Sequence, residues 1–183
     1  MDREEYERTI NVSDANQYFV DKPYATRDEF NSILPHLVPQ SVLTETSEFL
    51  RLAGFRYVEG VVLWIGETID QNARVNRVAI PQQIASRWHF EVPLEERGRI
   101  ALSLKQGEQV LAQIHTHETL AFHSFTDDHK AIIDRQWALS VVVPDFCRDG
   151  LNDLQRTAVF ALRGPVDWIQ LTPEQINSLF IFD

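Results

Sequence analysis

The stretch of sequence that says most about the fold and chemistry of this chain is Ile114-His115-Thr116-His117-Glu118-Thr119-Leu120-Ala121-Phe122-His123-Ser124-Phe125-Thr126-Asp127-Asp128-His129. It holds four of the six histidines within fifteen residues. His115 and His117 alternate at a predicted strand end, so both imidazoles point to the same side of a sheet. Ser124 and Asp127 follow at a spacing that is typical of a helix start. Two neutral imidazoles and one carboxylate are a ligand set of catalytic zinc, which leaves its fourth position for water.

Length and composition favour one globular domain. The chain has 183 residues, of which 44% are hydrophobic, enough for a sizeable core. The formal charge of −10 argues against a nucleic-acid groove, because phosphates require Lys and Arg. A single cysteine, Cys147, excludes an intrachain disulfide and a multi-cysteine zinc site. The acidic N-terminus is not typical of a signal peptide, and no apolar run approaches the ~20 residues of a membrane span. We therefore expect a cytoplasmic protein without a nucleic-acid or membrane partner.

Two segments of different character make up the chain. Residues 1–38 are polar with weak periodicity and are interpreted as an N-terminal extension, with short helices predicted over 2–8 and 28–34. Its clearest apolar stretch, Tyr18-Phe19-Val20, is expected to dock onto the rest of the protein. Residues 39–183 form the predicted catalytic domain. Strands and helices alternate there, which indicates an α/β fold.

Turn and cap residues divide the main domain into elements. Ser41 is expected to cap a helix that ends at Gly54, and Gly66 is expected to close an apolar strand over 55–65. Thr172-Pro173 is typical of the start of a last helix. Further strands are predicted over 74–80, 108–115, 139–143, 157–162 and 168–171, and further helices over 94–106 and 124–133.

Three motifs in this order resemble the JAMM (JAB1/MPN/Mov34) metalloprotease family, and specifically its deubiquitinase-like, bacterial-type branch. The family pattern is a Glu on an early strand, then H-[ST]-H, about seven residues, and S-x-x-D. The chain has Glu59 before an apolar strand, then His115-Thr116-His117, then Ser124-Phe125-Thr126-Asp127. The resemblance spans Glu59 to Asp127, and the order of elements agrees from about residue 39 onward.

Two departures from the family pattern bear on the ligand assignment. Glu118 stands where the family usually has Pro, and six residues rather than seven separate His117 from Ser124. Asp128 would restore the usual distance from His117, but only Asp127 keeps the spacing to Ser124, so Asp127 is favoured. His129, two residues after Asp127, resembles a histidine of the deubiquitinating branch that lies near a second metal.

The resemblance implies an MPN (JAB) domain, with a central mixed β-sheet flanked by helices and a cytidine-deaminase-like architecture. His115, His117 and Asp127 would hold Zn²⁺. Glu59 would act as general base and then acid, and Ser124 would stabilise the oxyanion. The implied reaction is hydrolysis of the bond after the C-terminus of a ubiquitin-like protein, free or in its conjugates. Activating-like and conjugating-like enzymes of the same pathway are the implied further partners.

For each of these proposed site residues a non-catalytic interpretation stays open. The two histidines could be strand-end residues, Ser124 a simple helix cap, Asp127 a first-turn carboxylate and Glu59 a solvent-facing acid. Two other functions are also open: a zinc hydrolase of a small peptide or amino-acid conjugate, and a non-catalytic MPN scaffold. Glu67 is expected to be solvated in a loop, and Glu118 to be either solvated or at a substrate rim. His123 and His129 are expected to be incidental surface residues, or else to contact a second metal or the substrate. Trp88 and His89 are expected to pack or to line the groove, and Cys147 to lie in the core or a loop.

Overall fold

A single eight-stranded mixed sheet organises the structure, a computed structural model that describes residues 21–151 and 154–183. The elements are α1 (Arg27–Asn31), β1 (His36–Val38), α2 (Gln40–Phe55), β2 (Val61–Ile69), β3 (Asn72–Ala79), β4 (Ile84–Ala85), β5 (Phe90–Glu91), α3 (Leu94–Ser103), β6 (Gln109–Thr116), α4 (Phe125–Lys130), β7 (Leu139–Val143), β8 (Ala158–Gly164), β9 (Asp167–Gln170), α5 (Pro173–Leu179) and β10 (Phe180–Phe182), with 3-10 turns at Asp145–Cys147 and Leu154–Arg156.

The strand order of the large sheet is β10-β1-β3-β2-β6-β7-β8-β9, and β4 pairs with β5 in a separate hairpin. Strand β1 is parallel to both its neighbours, β6 is parallel to β7, and the other pairs are antiparallel. The α/β class and the central mixed sheet flanked by helices are therefore confirmed. Because β2, β6 and β7 are central in this order, they form a rigid base for side chains at their ends.

The core lies on both faces of the central strands. Every residue of β7 is buried, as expected for a strand covered on both sides. Helix α2 covers one face through Val42, Leu43 and Leu50. It is also fixed by a buried hydrogen bond in which the indole N–H of Trp64, on β2, donates to Oγ1 of Thr46 (2.9 Å). This packing fixes β2, which pairs with the histidine-bearing β6.

Two glycines act differently from the predictions. Helix α2 does not end at Gly54 but continues to Phe55; a Cβ on Gly54 would lie 2.5 Å from Cβ of Phe146, so the glycine allows a close approach. Gly66 does not close a strand. It lies within β2 at a shift in register, where a Cβ would overlap the carbonyl oxygen of Arg74, and Glu67 is therefore a strand residue.

Several predicted boundaries are also corrected. The strand expected over 55–65 begins at Val61, because α2 and a turn with Tyr57 in the left-handed region (φ 56) occupy its first residues. The cap expected at Ser41 is Pro39. The helices expected over 94–106 and 124–133 end at Ser103 and Lys130. The short strands β1, β4, β5 and β10 were not predicted, because two or three residues give no measurable periodicity.

Other predictions agree with the structure or lie outside it. Thr172 caps α5 with Pro173 in its first turn, and β7 has its predicted bounds. The predicted helix over 2–8 and the docking of Tyr18-Phe19-Val20 lie outside the described residues. The division at residue 38 stays a prediction. Within the described part of the chain, no helix is both long and apolar enough to cross a bilayer.

Candidate metal centre

The structure brings His115, His117 and Asp127 together at the end of strand β6. His115 is the second-last residue of β6, His117 follows its end, and Asp127 lies in the first turn of α4. Nε2 of His115 lies 3.3 Å from Oδ1 of Asp127, and Nε2 of His117 lies 3.4 Å from Oδ2 of the same carboxylate. One ligand atom from each residue falls within 4.8 Å of the others. In the described residues this is the one such group of three or more His, Cys, Asp or Glu side chains.

Backbone hydrogen bonds hold the two histidines in place. The N–H of Thr116, between them, donates to the carbonyl of Gly60 (3.1 Å), and Oγ1 of Thr116 accepts from the N–H of Gly60 (3.0 Å). The N–H of His117 donates to the carbonyl of Val143 (2.9 Å). The histidine pair is therefore anchored to the start of β2 on one side and to the end of β7 on the other.

A capping box positions Asp127. Oγ of Ser124 accepts from the N–H of Asp127 (3.2 Å), and Oδ2 of Asp127 accepts from the N–H of Ser124 (2.8 Å). The cap interpretation of Ser124 therefore describes a real contact. It is compatible with catalysis, since a hydroxyl that accepts through its oxygen keeps its hydrogen for donation.

The donor set fits a metal ion. Both ring nitrogens of His115 are buried without a hydrogen-bond partner in the part of the chain that the structure describes, although buried polar groups usually have one. Burial lowers the pKa of His117, which favours the neutral ring that a metal needs. Burial alone would raise the pKa of Asp127, but the two histidines hold it well below its usual range. A cation among these atoms would give Nε2 of His115 a partner.

Glu59 lies beside this group, two residues before β2, and is only 7% exposed. Its backbone N–H donates to the carbonyl of Ser86 (2.8 Å). Burial, followed by the charges of Asp127 and Glu118, raises the pKa of Glu59 to about 9. A buried carboxyl group that is held protonated next to other acids is a candidate for proton transfer.

The β4–β5 hairpin and the loop after His117 line the site. Phe90 packs against the ring of His115, with centroids 5.2 Å apart, and Phe122 packs edge-on against His117 at 4.6 Å. Glu118 is half-buried, and it accepts from Nε of Arg87 at 2.8 Å. Sequence reasoning missed Arg87, since nothing in its local pattern marks it as a partner of Glu118.

The other candidate histidines and Asp128 lie elsewhere. Asp128 does not join the histidine pair; its carboxylate binds His123 and Lys22. His123 is buried rather than on the surface. His129 is exposed and binds the carbonyl of Phe125 through Nδ1 (2.9 Å), outside the group of three. Trp88 is largely exposed while His89 stacks on Phe90, and Cys147 is buried as expected.

Comparison with known proteins agrees with this geometry. The chain is 35% identical over 136 residues to the "Probable metalloprotease y4jG" of Sinorhizobium fredii (strain NBRC 101917 / NGR234), a match that covers 72% of this chain and 83% of the relative. The chain belongs to this metalloprotease family. Membership, together with the buried His-His-Asp group, indicates a metal-dependent hydrolase of the peptidase class.

Two further comparisons concern the family and the fold. None of the models of known protein families matches the chain. The solution structure of protein DSY2949 from Desulfitobacterium hafniense superposes with a TM-score of 0.57 at 18% sequence identity, and the match covers 81% of this chain and 92% of that one. At this identity the likeness concerns the fold alone.

Proposed function

We propose that the chain is a JAMM/MPN-type zinc peptidase that hydrolyses the bond after the C-terminus of a ubiquitin-like protein. The observation that carries the metal site is His115, which is fully buried and lies with Nε2 3.3 Å from Oδ1 of Asp127. Neither of its ring nitrogens has a hydrogen-bond partner among the residues that the structure describes. The metalloprotease relative supports a metal-dependent peptidase, and the order of the motifs from Glu59 to Asp127 supports the JAMM type.

The types of the ligand atoms favour zinc as the ion, since two imidazoles and one carboxylate are a known ligand set of catalytic zinc. Nε2 of His115 and Nε2 of His117 lie 3.3 and 3.4 Å from different oxygens of the Asp127 carboxylate. One ligand atom from each residue lies within 4.8 Å of the others. Three protein ligands also leave a fourth position for water, as catalytic zinc sites do. The bound ion would supply Lewis acidity and lower the pKa of its water to roughly 7.

The chain's own residues would carry the proton and stabilise charge. Glu59 takes a proton from the attacking water and gives it to the leaving nitrogen. For this it must be ionised at the start. Burial first, and then the charges of Asp127 and Glu118, raise the pKa of Glu59, and a cation at Asp127 would offset the part that comes from the Asp127 charge. Ser124 accepts through its oxygen in the helix cap and donates its hydroxyl hydrogen to the oxyanion of the tetrahedral intermediate. No side chain forms a covalent bond with the substrate.

The substrate class rests on the resemblance to the deubiquitinating branch of the family. A ubiquitin-like protein has an extended C-terminal tail, which needs an open cleft and not a closed pocket. Activating-like and conjugating-like enzymes would act on the same ubiquitin-like protein. The alternative, a small peptide or amino-acid conjugate, makes no use of such a cleft.

Cleavage of a linear fusion of a ubiquitin-like protein with a reporter tests the proposal. The purified protein with zinc should release the reporter, a chelator should stop the reaction, and Glu59→Gln should abolish turnover while zinc stays bound. Glu67→Gln is the matched control, because Glu67 is a half-buried acid on the following strand and binds the amide of Asn76; it should keep full activity. Turnover of short peptides but not of the fusion would contradict the substrate class, and full activity of Glu59→Gln would contradict the general-base role.

A further inference from the structure

A row of hydrogen-bonded polar side chains, here called the buried relay, runs beside the proposed metal centre and consists of Gln113, Ser140, His123, Asp128 and Lys22. Nε2 of Gln113 donates to Oγ of Ser140 (3.1 Å), whose hydroxyl hydrogen is then available to Nε2 of His123 (3.0 Å). Nδ1 of His123 donates to Oδ1 of Asp128 (2.8 Å). The ammonium group of Lys22 forms an ion pair with the other oxygen of that carboxylate.

Two members of the relay, Gln113 and Asp128, lie next to two proposed metal ligands. Gln113 is two residues before His115 on β6, so both side chains lie on the same face of the strand. Asp128 directly follows Asp127 in α4. The side-chain oxygen of Gln113 also accepts from the N–H of Ile132 (2.9 Å), just beyond α4. The relay therefore joins the strand that carries one ligand to the helix that carries another.

Burial gives the relay one arrangement. Gln113 and Ser140 are fully buried, His123 is 1% exposed and Asp128 is 6% exposed. The ring of His123 lies near those of Phe160 and Trp168, with centroids 4.6 and 4.7 Å away. A buried network in which each member has a partner restricts its members to one geometry more strongly than apolar packing does.

Lys22 brings the N-terminal segment into this network. The residues after it run along the edge of β9, where the N–H of Gln170 donates to the carbonyl of Pro23 (2.9 Å) and the N–H of Ala25 donates to the carbonyl of Gln170 (2.8 Å). The side chain of Lys22 is only 9% exposed, so its charge is committed to Asp128. A buried carboxylate without that partner would be costly.

We propose that Lys22, Asp128 and His123 are positioning residues of the metal centre, which hold α4 so that the carboxylate of Asp127 stays aligned with His115. This inference rests on the proposed ligand set. Residues that orient metal ligands without touching the metal typically change metal affinity by about 10- to 100-fold when they are replaced. A role limited to stability would lower the free energy of unfolding and leave the affinity of the folded protein unchanged.

Asp128→Asn tests the proposal, because it keeps the size of the side chain and removes the charge that binds both Lys22 and His123. Cobalt is the probe, since its visible ligand-field spectrum reports the geometry of the site. Competition with a chelator should give a cobalt Kd about 10- to 100-fold weaker than in the parent protein, with an altered spectrum. The matched control is Glu96→Gln, a buried acid that binds the N–H of Gln82 and Arg99 on helix α3. It should keep the parent Kd and spectrum.

A double variant separates the relay from a general charge effect. Asp128→Asn combined with Lys22→Gln replaces the ion pair by two amides that can bind each other, and it should regain at least about threefold in cobalt affinity over Asp128→Asn alone. If Asp128→Asn does not fold, Lys22→Gln alone carries the test and should weaken binding by about tenfold. If the folded single variants kept the cobalt affinity and the spectrum of the parent protein, the positioning role would be overturned. A parent protein that binds no cobalt would instead overturn the proposed metal centre.

Discussion

Replacement of Glu59 by Gln should stabilise the metal-free protein at neutral pH. Glu59 has an ordinary pKa of 4.5 in the unfolded chain, and burial together with Asp127 and Glu118 raises it to about 9 in the fold. Between these values the unfolded chain releases a proton that the folded protein keeps, so stability must fall as the pH rises. Gln has no proton to release, so the variant should not show this loss.

The expected difference in unfolding free energy between the two proteins follows from the difference between the folded and unfolded pKa of Glu59. Each pH unit above the ordinary value of 4.5 costs the folded state about 1.4 kcal/mol. At pH 7 the accumulated cost is about 3 kcal/mol, and it keeps growing until the folded pKa is reached. Near pH 4 the parent protein and Glu59→Gln should have similar stability.

Urea unfolding of the chelator-treated protein from pH 4 to 8 measures this difference. Glu67→Gln, on the adjoining strand β2, should follow the parent protein across the range. With zinc present the advantage of Glu59→Gln at pH 7 should shrink, because the cation stabilises an ionised Glu59. If the free energy of unfolding changed equally with pH in the metal-free parent protein and in Glu59→Gln, the inference that burial and neighbouring acids hold this carboxyl protonated would be refuted.

Three further predictions concern the fold and the helix cap. Gly66→Ala should lower the free energy of unfolding by about 3 kcal/mol or more in denaturant titrations, because the new Cβ would overlap the carbonyl of Arg74; an effect near zero would show that β2 can shift. The pKa of Glu108 is lowered to about 2 by its hydrogen bonds from Arg77 and the backbone of Lys105. The contribution of this carboxylate to the free energy of unfolding is therefore complete above pH 4.5 and lost as the pH falls toward 2. In Glu108→Gln the free energy of unfolding should change less with pH in that acid range. An unchanged pH dependence would contradict the lowered pKa of Glu108. Ser124→Ala should cost about 1 kcal/mol of stability and lower kcat about 10²- to 10³-fold, and unchanged kcat with the stability loss would leave Ser124 as a cap only.

Much of the site could be expected from the sequence, because its parts are local. The alternation of His115 and His117 on a strand and the Ser124-to-Asp127 spacing at a helix start each depend on a few neighbouring residues. Glu59 is distant in sequence, but a carboxyl at the start of an apolar strand is unusual enough to draw attention. The structure brings all of these to one end of the sheet.

The parts that were missed depend on long-range contacts. Lys22 reaches Asp128 across 106 positions of the chain, and Arg87 reaches Glu118 across 31, and neither has a local signal. The glycines show the same limit: Gly54 and Gly66 are needed for close approach to Phe146 and Arg74, which a sequence pattern cannot tell from a helix or strand stop. Strands of two or three residues, such as β1 (His36–Val38), are found only through the partners that they pair with.

Metal content of the purified protein tests the central claim most directly. Elemental analysis after dialysis against zinc should find about one zinc ion per chain in the parent protein and none in the His115→Ala, His117→Ala double variant, with both proteins folded by circular dichroism. Equal zinc in the two proteins, or none in the parent, would contradict a metal centre built from His115, His117 and Asp127.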